Sequence, residues 1–154
     1  MNAAAFPTDA EARLVDRLRD AGALRVSLVA ERAGRVIGHV ACSPVRIVAV
    51  GGAEHGAIGL APMAVAPALQ RTGVGGALVR AGLDACLAIG EPVVFVLGHP
   101  AYYPRFGFEP AAPRGLRYAG GASFDPAFFV RELASHASVG LTGTVHYHPA
   151  FASL

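Results

Sequence analysis

The stretch LQRTGVGGAL, Leu69 to Leu78, lies between an apolar run ending at Val65 and a periodic apolar segment starting at Val74. Glycines at 73, 75 and 76 let the main chain come close to a ligand at that junction. The leading amides of a helix have no intrahelical partner, so strand, glycine loop and helix together read as a phosphate-binding unit. The flanking segments decide which phosphate.

Downstream, Val74, Leu78, Ala81, Ala85 and Ala88 form one helical seam, widened by Val79, Leu83 and Cys86, with Arg80 and Asp84 on the wet side. Gly90-Glu91-Pro92 stops the helix, and VVFVL (93–97) is a short run suited to a strand buried on both faces. The unit is thus a right-handed βαβ crossover with parallel strands. Upstream, Ala10 to Ala21 reads as an amphipathic helix closed by Gly22. LRVSLVAE (24–31) alternates as a half-buried strand. Arg35 to Val50 follows as one long strand with its bend expected at Pro44. Gly51-Gly52 turns the chain into a third strand, IGLAPMAV (58–65). After Leu97 come a compact turn, GHPAYYPRFGF (98–108), and two more strands near Phe128–Leu133 and Gly143–Tyr147. The sum is a single domain over residues 1–154, mixed α+β, with a mostly antiparallel sheet and one parallel pair.

Bulk composition excludes several classes of function. The 154 residues are 53% hydrophobic and 16% charged, with a net charge of +2 too weak and scattered for a nucleic-acid stripe. No apolar run reaches the roughly 20 residues of a membrane helix. Asp9 and Glu11 interrupt the segment where a signal peptide needs apolar residues, so a cytoplasmic protein is expected. Cys42 and Cys86 have no metal or CxxC spacing and read as small buried hydrophobes in a reduced compartment.

No lysine follows the glycines, which argues against a Walker loop. A dinucleotide fingerprint needs a third glycine where Leu78 stands, and an acid after the next strand where Gly98-His99 stands. Coenzyme A remains. LAPMAVAPALQRTGVGGALV followed by VFVLGHPAYYPRFGFEPA resembles the GNAT superfamily of N-acetyltransferases, in its Gln/Arg-x-x-Gly-x-Gly/Ala loop and its Tyr-x-x-x-Gly-Phe turn. The meander VSLVAERAGRVIGHVACSPV and the tail FDPAFFVRELASHASVGLTGTVHYHPAF are similar to one branch of small bacterial acetyltransferases, so the likeness covers nearly the whole chain.

The resemblance implies a GNAT-like fold whose two parallel strands splay apart, with acetyl-CoA as cosubstrate and no metal. Gln70, Arg71, Thr72, Gly73, Val74, Gly75 and Gly76 would wrap the pyrophosphate with main-chain amides, Arg71 adding charge or standing solvated. Met63, Ala64 and Val65 would offer main-chain groups to pantetheine and an N–H to the oxyanion, while Pro62 has no N–H to give. Tyr103, five residues before Phe108, falls where the family's general acid lies, to protonate the departing thiolate; otherwise it packs with Tyr102, Phe106 and Phe108 as an aromatic lid. The acceptor would be a primary amine of a small molecule or peptide.

The general base is open among Glu54 and His55, in the loop entering the third strand, and His99 beyond the fourth. Each of these also reads as an exposed or packing residue. His39 reads as a satisfied core histidine, and His146 and His148 as neighbours on one strand face that lack a third ligand for zinc. The family usually opens with a strand and a helix before the segment matching MNAAAFPTDAEARL, so either the start is late or the sheet lacks its usual edge strand, and an exposed edge would favour pairing as a homodimer. The alternative to an enzyme is a module that holds coenzyme A without turnover.

Overall fold

The computed structural model of the protein describes residues 9–153. Helix α1 (Asp9–Asp20) precedes strands β1 (Val26–Arg32), β2 (Arg35–Val48) and β3 (Glu54–Val65), then helix α2 (Val74–Ala88) and β4 (Val93–Leu97). Short strands β5 (Glu109–Pro110) and β6 (Leu116–Tyr118) follow, then β7 (Phe128–Glu132) and β8 (Gly143–His146). They form one eight-stranded sheet in the order β5-β7-β4-β3-β2-β8-β6, with β1 on β2. β3 and β4 run parallel, as do β6 and β8; the other pairs are antiparallel. This is the mixed α+β sheet the sequence implies. The fragments β5 and β6 carry too few residues to show a period and were not foreseen.

The ladder between β2 and β3 keeps its register through Pro44, which pairs with Ile58. The Arg25 N–H donates to the Cys42 carbonyl, so main-chain groups of the even-numbered residues here face away from β3. β1 pairs with β2 as far as Cys42, and β8 takes over at Arg46. Pro44 therefore points its missing N–H into the gap between two neighbours, where no ladder bond is lost. The irregularity lies two rungs away. Val40 pairs with Met63 and Cys42 with Leu60, so Ala61 and Pro62 together oppose Ala41 as a bulge in β3.

The core lies on both sheet faces. α2 covers one, packing Leu78, Val79, Leu83 and Cys86 against Val40, Ile58, Leu60, Val94 and Val96. Gly82 joins that buried stripe, its Cα side facing the Val40 and Leu60 side chains. Ala81 and Ala88, expected in the seam, are exposed instead. The helix is turned so that its larger side chains, not its alanines, face the sheet, which buries more apolar area. The other face holds Val45, Ile47, Phe95, Leu116, Phe128 and Val145 under the C-terminal segment. Leu14 and Leu18 of α1 close one end against Ala23 and Phe151. Cys42 and Cys86 are free and buried, and the Cys42 thiol, pushed up by its hydrogen bond toward Cys86 and by burial, stays protonated.

Candidate active site

Left-handed residues shape the glycine loop. Arg71 and Gly73 both have positive φ, 65° and 94°, and alternating left- and right-handed residues turn successive N–H groups to one side. Gly73 is the N-cap of α2 and supplies no side-chain cap. The first helical bond runs from the Ala77 N–H to the Gly73 carbonyl at 3.1 Å. Among the described residues, the amides of Arg71, Thr72, Gly73, Val74, Gly75 and Gly76 have no acceptor in the protein. The Thr72 hydroxyl turns away and donates to the Leu69 carbonyl, and Gln70 reaches the Val65 carbonyl through its side-chain amide at 3.3 Å. Unmet donors at a helix N-terminus favour a bound anion.

β3 and β4 part just above this loop. Their pairing is confined to Ile58↔Val94 and Gly59↔Phe95. Pro62 stands where a further rung would need an N–H, and the bulge draws β3 aside. Beyond that point β3 stays paired only to β2. The Ala66 N–H donates to the Ile37 carbonyl, so the groups of Ala64, of the same parity, face β2, while those of Met63 and Val65 face the opening. Met63 and Val65 thus offer free N–H groups to an extended ligand, and Ala64 only its methyl.

Loop and opening share a cleft of about 840 Å³. Met63, Ala64, Val65, Gln70, Arg71, Gly73, Gly75 and Gly76 line it, whereas Thr72 and Val74 do not, Val74 packing instead against Gly38 and the core. Arg80 and Arg105 join Arg71 on the lining, which holds no carboxylate among the described residues. Arg80 stacks on the Phe106 ring (5.1 Å) and Arg105 on Tyr102 (5.0 Å), which holds both guanidinium groups over the opening. Both escaped the sequence reading. Helical periodicity alone puts Arg80 on a wet face, and nothing in it shows that this face is the cleft wall.

The two tyrosines divide. Tyr102 lines the cleft, and a Cβ on Gly75 would stand 2.8 Å from its hydroxyl, so Gly75 makes room for that oxygen. Burial pushes the Tyr102 phenol up against the opposing pull of Arg105 and Arg80. Tyr103 lies deeper, edge-on to Tyr102 (5.1 Å) and Phe108 (5.7 Å), with the Cε2 edge of its ring against Gly98 just past β4. Burial, helped by Tyr102, pushes the Tyr103 phenol up to about 12, so it is neutral at ordinary pH and able to donate. Tyr103 thus packs within the aromatic group behind Tyr102 and is not itself among the residues that line the cleft.

The base candidates do not gather there. Glu54 and His55 are not in a loop: they are the first residues of β3, exposed, with Glu54 paired to Arg46 at 2.8 Å. About 36 Å of strand contour separates them from Val65, so they are removed from the cleft. His99 does line it, its Nδ1 accepting the Ala101 N–H at 3.1 Å, which leaves Nε2 toward solvent. His39 is buried but only half satisfied: Nε2 meets the Ser27 hydroxyl at 2.9 Å and Nδ1 has no partner. Burial and the nearby Arg19 lower its pKa, so it is neutral. His148 lies past the end of β8, not beside His146 on a strand face, and its Nδ1 accepts the Ala150 N–H at 3.0 Å. It shapes the C-terminal turn.

Residues 1–111 match the family described as Acetyltransferase (GNAT) domain. The chain is 44% identical over 147 residues to the uncharacterized N-acetyltransferase YhbS of Escherichia coli strain K12, covering 95% of this chain and 86% of that one. It is 41% identical over 111 residues to the uncharacterized N-acetyltransferase YjhQ of the same strain, covering 70% and 60%. A crystal structure of E. coli YhbS in complex with CoA superposes with a TM-score of 0.87 at 43% identity, covering 97% of this chain and 82% of that one. A GNAT family acetyltransferase from Brucella melitensis in complex with acetyl-CoA gives a TM-score of 0.74 at 39% identity, covering 97% and 83%.

Proposed function

The chain belongs to the GNAT family of acetyltransferases, and on that premise we propose that it moves an acetyl group from acetyl-CoA to a primary amine of a small molecule or peptide. The observation that carries this reading is the row of unmet amides from Arg71 to Gly76 opening on a cleft walled by arginines. Those amides hold the pyrophosphate, Arg71, Arg80 and Arg105 add positive charge, and the free N–H groups of Met63 and Val65 hold pantetheine as an added strand edge. The cosubstrate supplies an activated acyl group; the protein aligns it with the amine, which makes the attack effectively intramolecular.

Direct attack needs an oxyanion donor and a proton for the leaving thiolate. The N–H of Met63 or Val65 faces the place where the acyl oxygen would lie, and the neutral Tyr103 hydroxyl donates to the sulfur. Met63 and Val65 share their parity with main-chain groups turned away from β2, which supports the first role. His99, on the cleft wall with its Nδ1 already accepting the Ala101 N–H, takes the amine proton through Nε2, directly or through water.

Calorimetry with acetyl-CoA, followed by thiol release across a panel of primary amines, tests the reading. Binding with turnover that Tyr103→Phe abolishes, while binding persists, is the expected result. Binding without turnover on any amine would make the chain a coenzyme A-holding module, and no binding would end both readings.

A further inference from the structure

A second phenol stands at the parting of β3 and β4, on the face opposite α2. Tyr147 follows β8, and its ring lies against Gly59, the last residue of β3 paired to β4: a Cβ there would be 3.0 Å from Cε2 and 3.1 Å from Cζ. Tyr118 (5.8 Å) and Phe151 (5.2 Å) hold the ring edge-on. Tyr103 rests in the same manner on Gly98, but among the core residues that face α2, whereas Tyr147 packs with the core of the other face. The two rings thus approach one gap from its two sides.

The Tyr147 hydroxyl is buried and makes no hydrogen bond of normal geometry among the described residues. Its nearest favourable group is the main-chain N–H of Leu97. The Gly98 N–H donates to Ala127 of the β7 side, so the Leu97 N–H, of opposite parity, faces β3, where pairing has already stopped at Phe95. The Leu97 N–H and the Tyr147 hydroxyl therefore meet at one point, where the phenol's own proton has no acceptor among the described residues. A phenylalanine at 147 would keep every ring contact and bury no unmet oxygen, so the fold alone gives the hydroxyl no purpose.

We propose that the Tyr147 hydroxyl, beside the Leu97 N–H, donates a hydrogen bond to the acyl oxygen of the thioester when it enters the gap between β3 and β4. The inference rests on the acetyl-CoA reading above and adds a residue to it from the far sheet face. It makes Tyr147 a substrate-touching group, and its acceptor is missing in the free protein because the acceptor is the acyl group. Free coenzyme A, which has no acyl oxygen, gains nothing from it.

The test compares Tyr147→Phe with the unaltered protein by calorimetry against CoA and acetyl-CoA, and by thermal melting of the free forms. The ratio of the CoA Kd to the acetyl-CoA Kd is expected to fall roughly 3- to 10-fold in the variant, with CoA itself bound as before. The free variant is expected to melt about 2–6 °C higher, since an unmet buried hydroxyl is gone. A purely structural tyrosine would instead lower the melting temperature. Gly59→Ala, which pushes the ring off its seat, should lose the same preference for acetyl-CoA. Unaltered protein that binds both ligands, with a ratio unchanged in both variants or a lower melting temperature in Tyr147→Phe, overturns the proposal alone. Unaltered protein that binds neither ligand overturns the acetyl-CoA reading and the proposal with it.

Discussion

Gly73→Ala isolates the cradle from everything else in the protein. Gly73 sits at φ 94°, ψ −5°, and a Cβ built on it meets nothing within 4 Å, so alanine adds no clash and changes only what the backbone prefers. The left-handed region costs an L-residue roughly 1–2 kcal/mol. Gln70 to Gly73 are exposed, so the free loop of the variant relaxes toward right-handed dihedrals and its amides fan apart. Recovering the cradle on binding then costs that same 1–2 kcal/mol, a rise of about 5- to 30-fold in the Kd for CoA.

Gly52 provides the control. It lies in the turn between β2 and β3 at φ 91°, again with nothing within 4 Å of its Cβ position. Gly52→Ala carries the same intrinsic penalty at the far end of β3. Calorimetry with CoA and thermal melting on both variants decide the matter: affinity should drop in Gly73→Ala alone, with melting temperatures of the two variants close to each other. Should Gly73→Ala bind CoA within 2-fold of the unaltered protein, or Gly52→Ala lose as much affinity, the amides are not what holds the diphosphate.

Three other outcomes follow from the same geometry. Tyr103 has a folded pKa of about 12 against 10 when free, so its protonated form favours folding fully below pH 10 and that contribution fades as pH rises through 12. Tyr103→Phe should therefore abolish thiol release and flatten the alkaline loss of stability over that window, as read by pH-dependent denaturation. Glu132 is held down to about 2 from 4.5 by the Ser138 N–H, then by Arg114 and the Ser138 hydroxyl; it stabilises the fold above pH 4.5 and stops doing so as pH falls toward 2. Glu132→Gln should remove that part of the acid transition, seen by circular dichroism. Arg80→Ala should weaken CoA binding about 2- to 5-fold and shallow its decline between roughly 0.05 and 0.3 M salt, because an exposed cation contributes modestly and is screened. An unchanged salt slope would place Arg80 outside the binding field.

The long elements were legible because each carries a period that burial enforces. β1 alternates inward Val26 with outward Ser27, and α1 stripes Leu14, Val15 and Leu18. The rotation of α2 was misjudged because alanines count as apolar in a pattern yet bring little area to a contact; Leu78, Leu83 and Cys86 won the sheet and left Ala81 and Ala88 outside. Pro44 was misjudged for the opposite reason. A proline disrupts a strand only where its nitrogen faces a neighbour, and which side that is depends on pairings far along the chain, β1 ending at Cys42 and β8 starting at Arg46.

At the site, the local part was readable and the assembled part was not. Glycine spacing before a periodic helix specifies the cradle within a few residues, and the parting of β3 from β4 is written in Pro62, which removes a rung. Adjacent tyrosines, however, look alike in sequence. What separates them is the pair of glycines they rest on: Gly75, in the first turn of α2, admits the Tyr102 hydroxyl to the cleft, and Gly98, after β4, seats the Tyr103 ring at the gap. A third tyrosine, Tyr147, reaches the same gap from a strand joined to the other end of β2, where no local spacing could signal it. Glycines that look like turn residues in the sequence thus serve as seats for phenols. Adding a methyl to Gly59 or Gly98 should therefore lower turnover before it lowers affinity for CoA.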